Sequence, residues 1–299
     1  MSNQTDRVIA RLFGGLGNQL FIYAAARAVA LRNSAELVLD TTSGFESDTL
    51  YRRNYQLASF PIAGRVASAS ERLEPFSRVR RGLLRRVNSR RSFDDRTYLF
   101  QEGVDFDPRL NEFELKGTVH LEGYWQSEKY FKEFESKIRR DLSIPIPMDE
   151  VNQRTLAAIK KSNAVSVHFR FFDSGDDQST SNAGSDYYAR AIADCEGRLA
   201  EPHYFVFSDQ PERAAELLQI GPERFTCVTH NRGDAGAISD LFLMSQCTHF
   251  VIANSTFSWW GAWLSDQQSK TVIAPSFVKR TGETCWGFDG LLPAEWRLL

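Results

Sequence analysis

Val8-Ile9-Ala10-Arg11-Leu12-Phe13-Gly14-Gly15-Leu16-Gly17-Asn18-Gln19 reads as a short apolar strand, a glycine turn and the first residues of a helix. An Ala-rich helical run follows over about 18–31, and a second apolar strand at 37–39 ends on Asp40. Parallel neighbours need a crossover between them, so strand, turn, helix and strand in this order mark a parallel, doubly wound α/β sheet.

The same alternation resumes later in the chain. Pro145 and Pro147 interrupt both helix and strand hydrogen bonding, which places a domain boundary there and divides the chain into 1–146 and 147–299. Before the boundary, 118–125 reads as a strand entering a loop and 128–140 as a charged helix. After it come helices near 150–161, 186–200, 211–219, 236–247 and from Thr256, with strands at 164–170, 204–208, 226–229, 249–253 and 271–274. A polar loop covers 173–185. Two consecutive α/β halves facing a cleft is the simplest architecture.

Composition narrows the function. The 299 residues are 42% apolar, enough for a large core, and the 36 basic and 38 acidic side chains leave a formal charge of −2. No global field therefore favours nucleic acid, and any polyanion must be met locally. Cys195, Cys227, Cys247 and Cys285 lie far apart with no C-x-x-C pair, which fits reduced thiols better than a disulfide frame or a zinc site. No stretch approaches the roughly 18–20 apolar residues of a membrane span, and the polar N-terminus has no signal-peptide core; both predict a cytoplasmic protein. Seven arginines lie within 78–91, among Val79, Leu83, Leu84 and Val87. That pattern fits either a basic helix on an anionic membrane face, giving peripheral contact through Arg78 to Arg91, or a solvated helix with an apolar inner stripe.

Three segments could carry chemistry. In Val165-Ser166-Val167-His168-Phe169-Arg170, alternation sends Ser166, His168 and Arg170 to one face. Arg170, at the carboxyl end where open α/β sheets bind ligands, offers a permanent cation shaped for phosphate or for a carboxylate. Asn254-Ser255-Thr256-Phe257-Ser258 follows an apolar strand, and Ser255 or Thr256 can cap the next helix, whose free N–H groups make a phosphate seat. The glycine turn invites a dinucleotide reading, but G-x-G-x-x-G needs glycine where Leu20 stands. Phe207-Ser208-Asp209 is another strand ending in a carboxylate, suited to a base or ribose. Asp105-Phe106-Asp107 has the D-x-D form of some metal sites, yet lacks a strong preceding strand and is discounted.

Taken together, Gly14 to Gln19, the Gly123-Tyr124-Trp125-Gln126-Ser127-Glu128-Lys129-Tyr130-Phe131 segment, His168-x-Arg170, Phe207-Ser208-Asp209, Asp240-Leu241-Phe242-Leu243-Met244 and Asn254 to Trp263 resemble the α-1,2-fucosyltransferases of glycosyltransferase family 11. The resemblance implies an α/β fold of GT-B type, with two Rossmann-like domains facing a cleft. It also implies inverting transfer of L-fucose from GDP-β-L-fucose to a galactose-containing glycan, with no metal and no cofactor besides the donor. Carried over by motif, Arg170 would bind the diphosphate with support from His168. Asn254, Ser255, Thr256, Phe257 and Ser258 would hold phosphate, and Asp209 would serve the nucleoside. Asn18 would stand beside the reacting sugar, with Gly15, Gly17, Trp125, Gln126 and Asp173 lining the substrate. Phe171 replaces the family's usual second arginine and Gln210 its usual second aspartate. Those departures keep open a different GDP-sugar, another linkage, or a silent GDP- or glycan-binding homologue.

Overall fold

The computed structural model describes residues 5–46, 48–49, 51–171, 183–218, 220–276 and 286–299. They form two units, Met1–Ser143 with Asp289–Leu291, and Ile144–Phe288 with Leu292–Leu299. Three residues near the C-terminus thus pack with the first unit, where Asp289 N donates to Asp105 Oδ1 at 2.9 Å.

The first unit holds β1 (Arg7–Arg11), α1 (Leu16–Arg32), β2 (Glu36–Asp40), β3 (Arg65–Val66), α2 (Ser77–Asn88), β4 (Tyr98–Phe100), α3 (Arg109–Glu112), β5 (Thr118–Glu122) and α4 (Glu135–Asp141). Its sheet runs β3-β2-β1-β5-β4, every pairing parallel. Val8, Ile9 and Ala10 are buried on both faces of β1, as expected of a central parallel strand. Helix α1 is buried along most of its length, and the small side chains of Ala24, Ala25, Ala26 and Ala28 let it lie close to its neighbours.

The second unit holds α5 (Glu150–Lys161), β6 (Asn163–Phe169), α6 (Ser185–Arg198), β7 (Pro202–Ser208), α7 (Pro211–Leu218), β8 (Phe225–Val228), α8 (Gly233–Gln246), β9 (His249–Val251), α9 (Thr256–Leu264), β10 (Val272–Ala274) and β11 (Arg297–Leu298). The sheet order β11-β10-β9-β6-β7-β8, again parallel throughout, is the doubly wound order in which the winding reverses between the first and fourth strands. Tyr187 of α6 donates to the carbonyls of Ile252 and Ile273, satisfying acceptors at the ends of β9 and β10.

One expectation is corrected here, and one of two alternatives is removed. The helix expected over 128–140 is broken into short 3₁₀ turns at Glu128–Tyr130 and Lys132–Phe134 before α4 begins. The adjacent rings of Tyr130 and Phe131 are both fully buried, and a continuous α-helix would turn one of them about 100° away from the other. Of the two readings left open for α2, the one with an apolar inner stripe does not hold: Val79, Leu83 and Val87 are exposed while Asn88 is buried.

Candidate active site

In the second unit, the winding reversal between β6 and β9 determines what meets at the carboxyl edge. The register pairs Val167 with Val251 and Phe169 with Ser208, so Arg170 follows a strand whose neighbours end at Asp209 and at the turn beginning with Asn254. Arg170 Nη1 donates to Asp209 Oδ2 at 2.7 Å, and the Phe171 amide donates to Oδ1 of the same carboxylate at 3.1 Å. The ion pair is part-exposed, with about a third of the Arg170 side chain and a quarter of Asp209 open to solvent. Both Asp209 oxygens are thus engaged within the chain, in contacts the sequence did not foretell for a residue assigned to the nucleoside.

His168 lies one layer deeper. Burial, and after it the charge of Arg170, pushes its imidazole down to about 3, so the ring is neutral at ordinary pH and offers hydrogen bonding rather than charge. Its ring centre is 5.7 Å from that of Phe257, which ties β6 to the turn after β9. Its Nδ1 has no hydrogen-bond partner among the described residues.

The turn itself is a helix cap. Ser255 is extended, and its Oγ accepts from Phe257 N at 3.3 Å, so this hydroxyl already takes one of the free amides at the start of α9. Ser258 is fully buried and donates back to the Ser255 carbonyl, an internal role unlike the phosphate contact expected of it. Asn254 is buried, and its Oδ1 accepts from Ala183 N at 3.0 Å. Thr256 and Phe257 remain half-exposed at the positive end of the helix dipole. Phe171, at the position of the family's second arginine, is buried, and the guanidinium of Arg213 from α7 stands 4.5 Å over its ring. Arg213 was missed in the sequence because nothing in the motif spacing brings α7 to the end of β6. Asp173 lies outside the described residues, as do Phe172 and Cys285.

The first unit has its own edge, where β1 and β5 adjoin. Gly14 sits at φ +77°, and a Cβ there would lie 2.9 Å from Asn18 Nδ2, so the turn requires glycine. Gly15 leads into α1, whose first turn includes Gly17 and Asn18. Gln126 Nε2 donates to Asn18 Oδ1 at 2.9 Å, joining two residues 108 apart in sequence. Trp125, expected to line the substrate, is only 1% exposed and packs edge-on against Tyr130. The exposed ring is that of Tyr124, 4.7 Å from Phe13.

Behind this edge, the buried Glu122 binds Arg11 at 2.7 Å and Arg85 at 2.6 Å, and accepts from Tyr98. Burial alone would raise its pKa, but the hydrogen bonds of Tyr98 and Arg85 and the charge of Arg11 hold it low. Asp40 accepts from the Thr42 and Ser43 amides, the role of a turn cap. In the D-x-D segment, Asp107 pairs with Arg109, and among the described residues no group of three or more His, Cys, Asp or Glu could hold a metal ion.

Two units, each a parallel, doubly wound sheet covered by helices, are the α/β architecture of the GT-B fold. The family model described as Glycosyl transferase family 11 matches residues 8–284, and the chain belongs to that family. An alpha-1,2-colitosyltransferase of Escherichia coli is 31% identical over 276 residues, covering 90% of this chain and 91% of its own. The O-antigen biosynthesis glycosyltransferase WbnK, also of Escherichia coli, is 29% identical over 290 residues, covering 88% and 92%. Among solved structures, Arabidopsis thaliana FUT1 in complex with GDP superposes with a TM-score of 0.56 at 13% identity, covering 96% of this chain and 74% of that one. Fucosyltransferase NodZ from Bradyrhizobium gives 0.51 at 15% identity, covering 87% and 93%.

Proposed function

We propose that this family 11 glycosyltransferase moves L-fucose from GDP-β-L-fucose to O2 of galactose in an oligosaccharide or lipid-linked glycan, with inversion and without a metal. The observation that carries the reading is that Arg170 follows β6 and the capped start of α9 follows β9, parallel neighbours at the strand-order reversal of the second unit, with His168 of β6 against Phe257 of that turn. As the bond from the sugar's anomeric carbon to the phosphate oxygen breaks, its electron pair passes to the diphosphate. The Arg170 guanidinium and the dipole end of α9 stabilise that charge, preorganised so that little reorganisation is needed during reaction. Asp209 keeps the guanidinium in place, and neutral His168, buried against Phe257, supports the end of β6 that carries it. Arg213, held over Phe171, supplies the second cation that the motif lacks. The acceptor hydroxyl attacks from the opposite face of the sugar and gives up its proton late, to a donor phosphate oxygen or to Asp173.

A second reading is supported by the relative named as a colitosyltransferase, which covers most of the chain. Colitose is fucose without its 3-hydroxyl, so both donors would make the same diphosphate contacts. Offering GDP-fucose and GDP-colitose separately with a galactoside acceptor, and assigning the product linkage by nuclear magnetic resonance, separates the two. Fucosyl transfer to O2 is expected. Turnover with colitose alone moves the assignment to the second reading, and GDP binding without transfer from either donor removes both.

A further inference from the structure

Helix α2 is amphipathic in the reverse of the usual sense. Its polar side faces the protein: Arg81 donates to Ser43 Oγ at 3.1 Å, Arg85 pairs with Glu122 at 2.6 Å, and the buried Asn88 accepts from Thr97 N at 2.8 Å. Its apolar side is left in solvent, with Phe76 at 75% exposure, Val79 at 71% and Leu83 at 62%. Val79, Leu83 and Val87 fall at i, i+4 and i+8, so they share one stripe, and Phe76 at the helix start extends it. Arg78, Arg80, Arg86 and Arg90 are exposed around it.

Apolar side chains gain nothing from standing in water, and here they are concentrated on one helix and ringed by cations. The chain as a whole carries a formal charge of −2, so this positive density is local. A small phosphate ligand would use the arginines but not Val79 or Leu83. A second copy related by a two-fold axis would bring the same arginines face to face. Apolar residues set among guanidiniums match a bilayer surface, whose acyl boundary takes the former and whose phosphates take the latter.

We propose that α2 docks this chain on an anionic membrane surface. Phe76, Val79, Leu83 and Val87 enter the headgroup boundary, and Arg78, Arg80, Arg86 and Arg90 meet lipid phosphates. Neither Arg81 nor Arg85 takes part, because both are held by the protein beneath.

Co-sedimentation of the full chain with vesicles tests this, using phosphatidylcholine alone and phosphatidylcholine with about one third phosphatidylglycerol. The chain is expected to pellet with the anionic vesicles, to stay in solution with the neutral ones, and to be released by salt. Val79→Glu with Leu83→Glu should weaken binding about tenfold or more, as should Arg78→Glu with Arg86→Glu. These side chains are exposed, so the thermal midpoint should stay near wild type. Equal pelleting with neutral vesicles, undiminished binding by the Val79→Glu/Leu83→Glu variant, or no pelleting at all overturns the proposal. So does a change of oligomeric state in that variant by light scattering with vesicle binding intact, which would make the stripe a seat for a second copy. None of these outcomes depends on the identity of the sugar donor.

Discussion

Asp209 grips two consecutive residues at the end of β6, the Arg170 guanidinium at 2.7 Å and the Phe171 amide at 3.1 Å. The first contact aims a cation and the second fixes the backbone that carries it. Replacing Asp209 by Asn keeps the shape but removes the charge that holds Arg170. The pair is part-exposed, so the cost in stability is small, at most about 1 kcal/mol. Transfer should fall more, by about tenfold in kcat/KM, because a misplaced guanidinium stabilises the leaving group less. Steady-state kinetics beside a thermal melt would show whether the two effects separate in this way.

Asn18 and Gln126 form the corresponding contact in the first unit. Gln126→Ala leaves Asn18 without this donor while opening no large cavity, so the thermal midpoint should move little. Transfer should drop by about tenfold if Asn18 must be held toward the sugar. A variant with wild-type turnover would show that the hydrogen bond serves only local structure.

The glycine turn makes a prediction about stability. Gly14→Ala places a Cβ at a positive φ and within 2.9 Å of Asn18 Nδ2, so both backbone and side chain must shift. Such strain costs about 1–3 kcal/mol, measurable by chemical denaturation, and Gly82→Ala, where the added Cβ meets nothing within 4 Å, is the matched control.

Asp240 provides a pH signature. Burial raises its carboxyl to about 7, against the lowering effect of the hydrogen bond from Asn231. The folded chain therefore binds a proton that the unfolded chain has already lost above the ordinary carboxyl value of about 3.8. Stability falls as pH rises through that window and levels off above about 7, where both states are ionised. Asp240→Asn cannot titrate, so the difference in stability between wild type and variant should change steadily between those limits and flatten beyond them. A pH-independent difference would show that the carboxyl is not raised.

Several parts of this arrangement were readable from the chain. The apolar runs ending at Arg170, Asp209 and Asn254 marked strand ends, because a strand buried on both faces shows its carboxyl edge as an abrupt change to polar residues. The partnership of Arg170 with Asp209 was not readable. It depends on β6 lying beside β7 with Phe169 opposite Ser208, a register set across 39 residues. The orientation of α2 was hidden for a similar reason: Glu122 and Ser43, which draw Arg85 and Arg81 inward, lie far away in sequence. Periodicity identified the helix without identifying which face had partners. The strands Arg65–Val66 and Arg297–Leu298 are too short to leave any alternation to detect.

The central claim is that Arg170 meets the nucleotide's diphosphate, and titration calorimetry of GDP against wild type and Arg170→Ala tests it most directly. Loss of a charge-assisted contact to phosphate should weaken GDP binding about tenfold to a hundredfold, with the thermal midpoint nearly unchanged. Equal affinity in the two proteins would contradict it.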